Sequence, residues 1–286
     1  MEENEINVEE VRSLLDNISV SKSQGPDEIP AKVLKELSHE IAEPLTVIFR
    51  KSLSAGKLPT VWKKANVIPL FKKGSRSDPN NYRPVSLTCI CGKLLEKLIR
   101  NRIMSYMENN NLFNVHQFGF RSSRSCVTQL LKVIKDWFDD MDNNIVWDTI
   151  YLDFAKAFDR VPHKRLVNKL KAYGISGNLL KWISDFLSDR KQRVKVGDKW
   201  SDWIEVLSGI PQGSVLGPLL FLIFIHDLPE NVLSRIVIFA DDTKLYNQRN
   251  NKDILQNDLI EIYQWSLEWN LRFNLDKCKF CIMAKI

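Results

Sequence analysis

Three acids stand where backbone geometry could bring them together. Asp153 closes the apolar run Thr149-Ile150-Tyr151-Leu152, and Asp241-Asp242 follows Ile236-Val237-Ile238-Phe239-Ala240. Each run reads as a strand, so the spacing predicts one acid at a strand end and two at the tip of a neighbouring hairpin. A buried strand that ends in unpaired acid is destabilised unless a cation neutralises it. Mg²⁺ takes oxygen ligands, and two such ions about 3.5–4 Å apart neutralise the attacking and leaving oxygens of a phosphoryl transfer. Taken singly, each piece has a plainer reading. Asp-Asp is common turn chemistry, and an acid after a strand commonly caps the next element. The joint pattern is what points to metal chemistry.

Positioning those acids requires a sheet, and the second half of the chain supplies one. Residues 146–153 read as a strand, 163–173 (closed by Gly174) and 178–188 as helices, and 192–206 as a hairpin turning near Gly197-Asp198. Gly217-Pro218 opens an apolar helix to Asp227. Residues 235–240 and 243–247 are strands flanking the Asp241-Asp242 turn. Residues 253–269 form an amphipathic helix with Leu255, Leu259, Ile262 and Trp269 on one face, and 279–283 a final strand. Without the basic stretch of about 160–206, the order is strand, helix, strand, strand, helix, strand. That is the split βαβ, ferredoxin-like order, and it predicts an α+β fold with an antiparallel sheet and helices on one face.

The first half is mainly helical. Asn7 with Glu10 is a capping signature, and Val8, Val11, Leu15 and Ile18 form a stripe behind it. Residues 21–29 make a turn-rich link. Pro30 suits the first turn of a second helix, and Pro44 starts or kinks a third that ends at Gly56, with Leu45, Ile48, Phe49 and Leu53 inward. Residues 65–71 read as a short strand, 72–83 as a polar loop, and 93–109 and 125–141 as long helices.

Charge is unevenly spread. The net charge of +6 conceals two blocks, 62–102 and 160–199, each carrying +8. The first sets ten Lys/Arg against Asp78 and Glu96, the second eleven against Asp185, Asp189 and Asp198. Such blocks suit either solvated helix faces or a groove that follows a phosphate backbone. The start is acidic rather than basic-then-apolar, which argues against a secretory leader and for a reducing, intracellular setting (cytoplasm or nucleus). The longest apolar run, 215–225, contains Gly217 and Pro218 and is too short to span a bilayer, so no membrane role is expected. Cys89, Cys91, Cys278 and Cys281 lack histidine support for zinc and read as free thiols.

Six ordered motifs carry a family resemblance. They are Asn81-Tyr82-Arg83-Pro84-Val85-Ser86-Leu87, Gln117-Phe118-Gly119-Phe120-Arg121, Asp153 with Phe154-Ala155-Lys156-Ala157-Phe158-Asp159, Ser208-Gly209-Ile210-Pro211-Gln212-Gly213-Ser214, Phe239-Ala240-Asp241-Asp242, and Asn274-Leu275-Asp276-Lys277. Together, over roughly 25–283, they resemble reverse transcriptases of LINE-type, non-long-terminal-repeat retrotransposons. The resemblance implies a right-hand polymerase: a helical segment at 1–24, a fingers-type region at 25–145, and a palm at 146–286 with a fingers-like basic insertion at about 160–206. It implies an RNA-directed DNA polymerase that adds deoxynucleotides to a primer 3′ hydroxyl on an RNA template. Two Mg²⁺ would serve it, with Mn²⁺ able to substitute.

The roles follow motif by motif. Asp153 and Asp241 resemble metal-bridging acids, with the Phe154 carbonyl as a further ligand and Asp242 as the third acid. Phe158 resembles a steric gate against ribose, and Gln212-Gly213 a loop under the incoming nucleotide. Arg83 and either Lys72 or Lys73, with Lys72 favoured, resemble the triphosphate clamp. Lys277 matches a position that protonates pyrophosphate, while Gln117 and Arg121 match template contacts. The chain ends just after the fourth palm motif, and 24 residues precede Gly25. The expectation is therefore a piece of a larger polyprotein without its thumb or an endonuclease, weak and distributive in synthesis. The alternatives are a maturase-like RNA-binding module and an inert relic, and the three acids favour the enzyme.

Overall fold

The computed structural model describes residues 5–141 and 144–284. Helix α1 (Val8–Asp16) opens on the expected capping box. The Glu10 amide donates to Asn7 Oδ1 at 2.7 Å, and the Asn7 amide to Glu10 Oε2 at 3.2 Å. Val11, Leu15 and Ile18 are buried behind it. A short α2 (Ala31–Glu36) begins right after Pro30. Helix α3 (Ser38–Ala55) starts a turn and a half before Pro44, which it contains, and closes on Gly56 at φ 62°. Its buried stripe is Ala42, Leu45, Thr46, Phe49 and Ser52. Ile48 falls off that stripe and is 45% exposed, a correction to the inward face read from the sequence.

One sheet gathers strands from distant parts of the chain. Strand β1 (Lys64–Phe71) pairs antiparallel with β2 (Tyr82–Leu87), with Leu70 opposite Arg83. Strand β2 begins where only a loop end was expected. Pro84 is a poor strand former, and pairing to β1 at the sheet edge overrides it. Strand β4 (Arg190–Val196) joins the other side of β1 in parallel and pairs antiparallel with β5 (Lys199–Trp200) and β6 (Ile204–Val206). The basic stretch near 160–206 therefore completes the sheet of β1 and β2.

The second sheet holds β3 (Trp147–Leu152), β7 (Arg235–Phe239), β8 (Asp242–Gln248) and β9 (Lys279–Met283). Its order is β7-β8-β3-β9, all antiparallel, as the split βαβ pattern predicts. Helices α8 (Gly217–Ile225) and α9 (Lys252–Glu268) share a core with Ile236, Ile238 and Leu245. Helices lie on both faces, however, not on one. Val237 and Tyr246, alternating with those residues, point the other way. They pack with Trp147 against Val133 and Trp137 of α5 (Cys126–Met141). An apolar outer face needs cover, and the long helix before β3 provides it.

Lys169 ties the helical layer together. It lies on α6 (His163–Ala172), 6% exposed, with its ammonium 3.6 Å from the Trp269 ring centroid and within 5.3 Å of those of Phe224 and Trp265. It pairs with Asp227, which also accepts from Trp265 Nε1 at 2.8 Å. Burial pulls the Lys169 ammonium down to about 8 against the opposing pull of Asp227. Between that value and about 10.5, the unfolded chain holds a proton that the folded chain has released. Stability from this group therefore rises with pH across the window. Thermal unfolding at pH 7.5 and 9.5 should show the parent gaining on Lys169→Met. An identical pH response in both would refute the assignment.

Candidate active site

The three acids converge at one end of the second sheet. Leu152 pairs with Thr243, so the next step along both strands brings Asp153 beside Asp242. Phe239 pairs with Asp242, which leaves Ala240 and Asp241 as the two-residue turn and makes Asp242 the first residue of β8. Burial raises the Asp241 carboxyl above its ordinary range, and the charges of Asp242 and Asp153 push it further. Asp242 is raised by burial and then by Asp153, while Lys277 and Lys72 pull it down. The acids thus feel one another as like charges. Lys277 Nζ stands 3.2 Å from both Asp153 carboxylate oxygens. Phe154 meets Phe273 as a non-hydrogen-bonded antiparallel pair, because the bonds run from Ala155 N to Arg272 O and from Asn274 N to Asp153 O, both at 2.8 Å. That register directs the Phe154 carbonyl away from the pairing. Among the described residues, no three His, Cys, Asp or Glu side chains close into a ready-made metal cage.

The Asp241 turn is held from behind. Ala240 adopts φ 56°, a left-handed conformation uncommon outside Gly, Asn and Asp. Gln117 Oε1 accepts from the Ala240 amide at 2.9 Å and the Gly119 amide at 2.8 Å, and Gln117 Nε2 donates to the Ala240 carbonyl at 3.2 Å. A Cβ on Gly119 would stand 2.3 Å from the Ala240 nitrogen, so only glycine allows this approach. Gln117 is 4% exposed. Its amide is taken up by the turn. Arg121 likewise turns inward, donating from Nη1 to the Asn114 carbonyl at 3.0 Å and lying over the Phe113 ring.

Other motif residues are held by their neighbours. Half-buried Phe158 stacks on Phe221 of α8 at 4.5 Å, which fixes its ring from one side. Gln212 Nε2 donates to Asp159 Oδ1 at 2.7 Å, and the Gln212 carbonyl accepts from the Ser86 amide at 3.1 Å. Gly213, at φ 96°, would bring a Cβ within 2.7 Å of the Ser86 carbonyl oxygen. Arg83 is exposed on β2. Of the two candidate lysines, Lys72 is the one whose charge reaches Asp242.

Comparison with known proteins settles the family. The reverse transcriptase (RNA-dependent DNA polymerase) profile matches residues 70–285. The chain belongs to the reverse transcriptase family. It is 33% identical to the RNA-directed DNA polymerase from mobile element jockey of Drosophila melanogaster, over 96% of this chain and 31% of that protein. It is 32% identical to the probable RNA-directed DNA polymerase from transposon BS of the same fly, over 95% and 31%. With the Pol polyprotein of the type-2 element R2DM, identity is 24% over 91% and 25%. These likenesses make it a reverse-transcriptase domain of the non-long-terminal-repeat retrotransposon type. The chain spans about a third or less of the length of these relatives. Among the described residues, no helix is long and apolar enough to cross a membrane.

Two supports of this reverse-transcriptase site escaped the sequence reading. Asp159, one residue past Phe158, anchors the Gln212 amide. Glu96, on α4 (Ile90–Asn109) and 3% exposed, accepts from the amides of Val215 at 2.7 Å and Leu216 at 3.1 Å. It thereby holds the segment just after Gln212-Gly213 at the start of α8. A carboxylate among Leu94, Leu95, Leu98 and Ile99 was the available signal, since an acid on a buried helix face needs a partner.

Proposed function

We propose that this domain extends a primer 3′ hydroxyl with deoxynucleotides on an RNA template. In this reading the sheet of β3, β7, β8 and β9 is the palm and the sheet of β1, β2 and β4–β6 belongs to the fingers. The observation that carries it is the meeting of Asp153, Asp241 and Asp242 at one strand end, where Asp153 raises the charge cost of both Asp241 and Asp242 and Asp242 adds to that of Asp241. An all-oxygen set of carboxylates and the outward-facing Phe154 carbonyl suits Mg²⁺, and Mn²⁺ by the same ligand logic. Asp153, Asp241, Asp242 and the Phe154 carbonyl would hold two ions. When bound, the ions neutralise charge on the attacking and leaving oxygens.

The chain's own residues do the rest. Lys72 and Arg83 orient the triphosphate, Arg83 through its bidentate fork. Gln212 and Gly213, fixed by Asp159 and Ser86, support the base pair. Lys277 sits on Asp153 within reach of the reacting groups, where an ammonium can give a proton to departing pyrophosphate. Phe158, backed by Phe221, closes the space a 2′-hydroxyl would need. The test is extension of a labelled DNA primer on an RNA template with Mg²⁺ and deoxynucleotides. RNA binding without extension would leave a binding module, and neither would leave an inert fold.

The gate makes its own prediction. Phe158→Val should raise ribonucleotide incorporation about ten- to a hundredfold relative to deoxynucleotide, the scale of removing a steric clash in a shaped pocket. Competition between a ribonucleotide and its deoxy counterpart measures it. Unchanged discrimination would make Phe158 a packing residue for α8 alone.

A further inference from the structure

Strand β9 is the outer strand of the second sheet, and its far edge has no strand partner among the described residues. Asp148 stands opposite Ile282 and Ile150 opposite Phe280, so all four side chains lie on one face. That is the face packed by α9, because Ile150 joins the core that Leu255 and Leu259 share. Helix α9 covers β3 but leaves β9 open, with Phe280 57% exposed and Ile282 48%. Between them runs a groove of about 450 Å³, lined by Asp148, Ile150, Leu255, Leu259 and Phe280. Asp148 is only 7% exposed, and its Oδ1 is buried without a hydrogen-bond partner among the described residues. Lys252 and Lys279 line the same groove, but both are exposed and neither pairs with that oxygen.

Each feature narrows what could sit there. An open edge pairs with extended backbone. Phe280 and Ile282, alternating on the groove face, call for apolar side chains at alternate positions of the incoming strand. An unpaired buried carboxylate calls for a cation with several donors. In a strand added to β9, the residue facing Ile282 stands two strand spacings from Asp148, about 10 Å. An extended arginine side chain with one hydrogen bond spans roughly that distance, and its fork matches a carboxylate. A second copy meets these demands poorly. Paired antiparallel to its twin, β9 offers this groove only Phe280 and Ile282, with no cation between them. We propose that the β9 edge and its groove dock an extended segment of a partner protein, with apolar residues at alternate positions and one arginine among them on the same face. Asp148 lies five residues before Asp153 along the chain, about 16 Å away at strand rise, so the docked segment leaves the three acids free.

The test reads peptide binding without nucleic acid or metal, so its outcome is independent of the polymerase reading. The probe is the peptide Thr-Val-Thr-Arg-Thr-Val-Thr, with fluorescein at its N-terminus and an amide at its C-terminus. Its control carries Leu in place of Arg. Fluorescence polarisation against the 286-residue chain should show the arginine peptide binding at least about tenfold more tightly, the scale of a close charge pair. Asp148→Asn should abolish that preference, weakening the arginine peptide and leaving the leucine peptide within about threefold. The variant removes an unpaired buried charge, so it should melt at or above the parent's temperature. Phe280→Ser, at an exposed side chain, should weaken both peptides about equally. Amide hydrogen exchange should slow across 279–283 when the arginine peptide is bound, and protection confined elsewhere would overturn the site. Absent or equal binding of the two peptides, or a preference that survives Asp148→Asn, would overturn the proposal. Concentration-dependent dimerisation of the parent that blocks the peptide would do the same, by making a second copy the occupant.

Discussion

Asp153→Asn and Asp241→Asn should each lower primer extension in Mg²⁺ by about a thousandfold or more, because a lost carboxylate removes stabilisation of charge that develops in the transition state. Nucleic-acid affinity should stay within about twofold, since neither acid supplies the basic surface. The stability readout has a definite sign. Burial and the neighbouring acids raise the Asp241 carboxyl, so the folded chain binds that proton more tightly than the unfolded chain does. Stability from the group is therefore fully present at low pH and is lost as pH rises through the folded value. At neutral pH, without added metal, Asp241→Asn should melt at or above the parent's temperature. Added Mg²⁺ should raise the parent's melting temperature and move the variant's much less. Near-normal extension by either variant in Mg²⁺ would remove the two-metal assignment.

The parts of this fold that sequence displays are those set by local chemistry. The Asn7–Glu10 box and the Gly56 stop depend on neighbours in the chain, and both stand as read. The acids were legible for the same reason, as a strand end and a turn doublet. Non-local features were hidden. Nothing in Tyr82-Arg83-Pro84 announces a strand until β1 is beside it, and nothing in β4 announces a parallel partner from the first half of the chain. The cover that α5 gives Val237 and Tyr246 is likewise a tertiary fact. Ile48 was misplaced because which side of α3 faces the core is set by its packing partners, and on the face they choose, through Ala42, Leu45, Thr46 and Phe49, Ile48 falls to the side.

Gln117 is the sharpest instance, because its motif suggested one role and its surroundings another. A glutamine between loop residues reads as solvent-facing, and only the distant Ala240 turn reveals where its amide goes. Gln117→Met keeps an unbranched side chain of similar length and removes every hydrogen bond. The Ala240 and Gly119 amides and the Ala240 carbonyl would lose their partner, at a cost of about 2–4 kcal/mol in stability. The larger effect should be kinetic. Ala240 holds a left-handed conformation that the clamp over-determines, and relaxing it moves Asp241 relative to Asp153. Displacements of about 1 Å at reacting centres cost on the order of a hundredfold, so kcat should fall by about that much. The Mg²⁺ concentration for half-maximal rate should rise, while the KM for primer–template stays within about threefold. A template contact would give the opposite split, with a raised template KM and a kcat that recovers at saturation. That outcome, in a variant shown by thermal unfolding to be folded at the assay temperature, would return Gln117 to the template and leave the Asp241 turn to stand on its own pairing with β8.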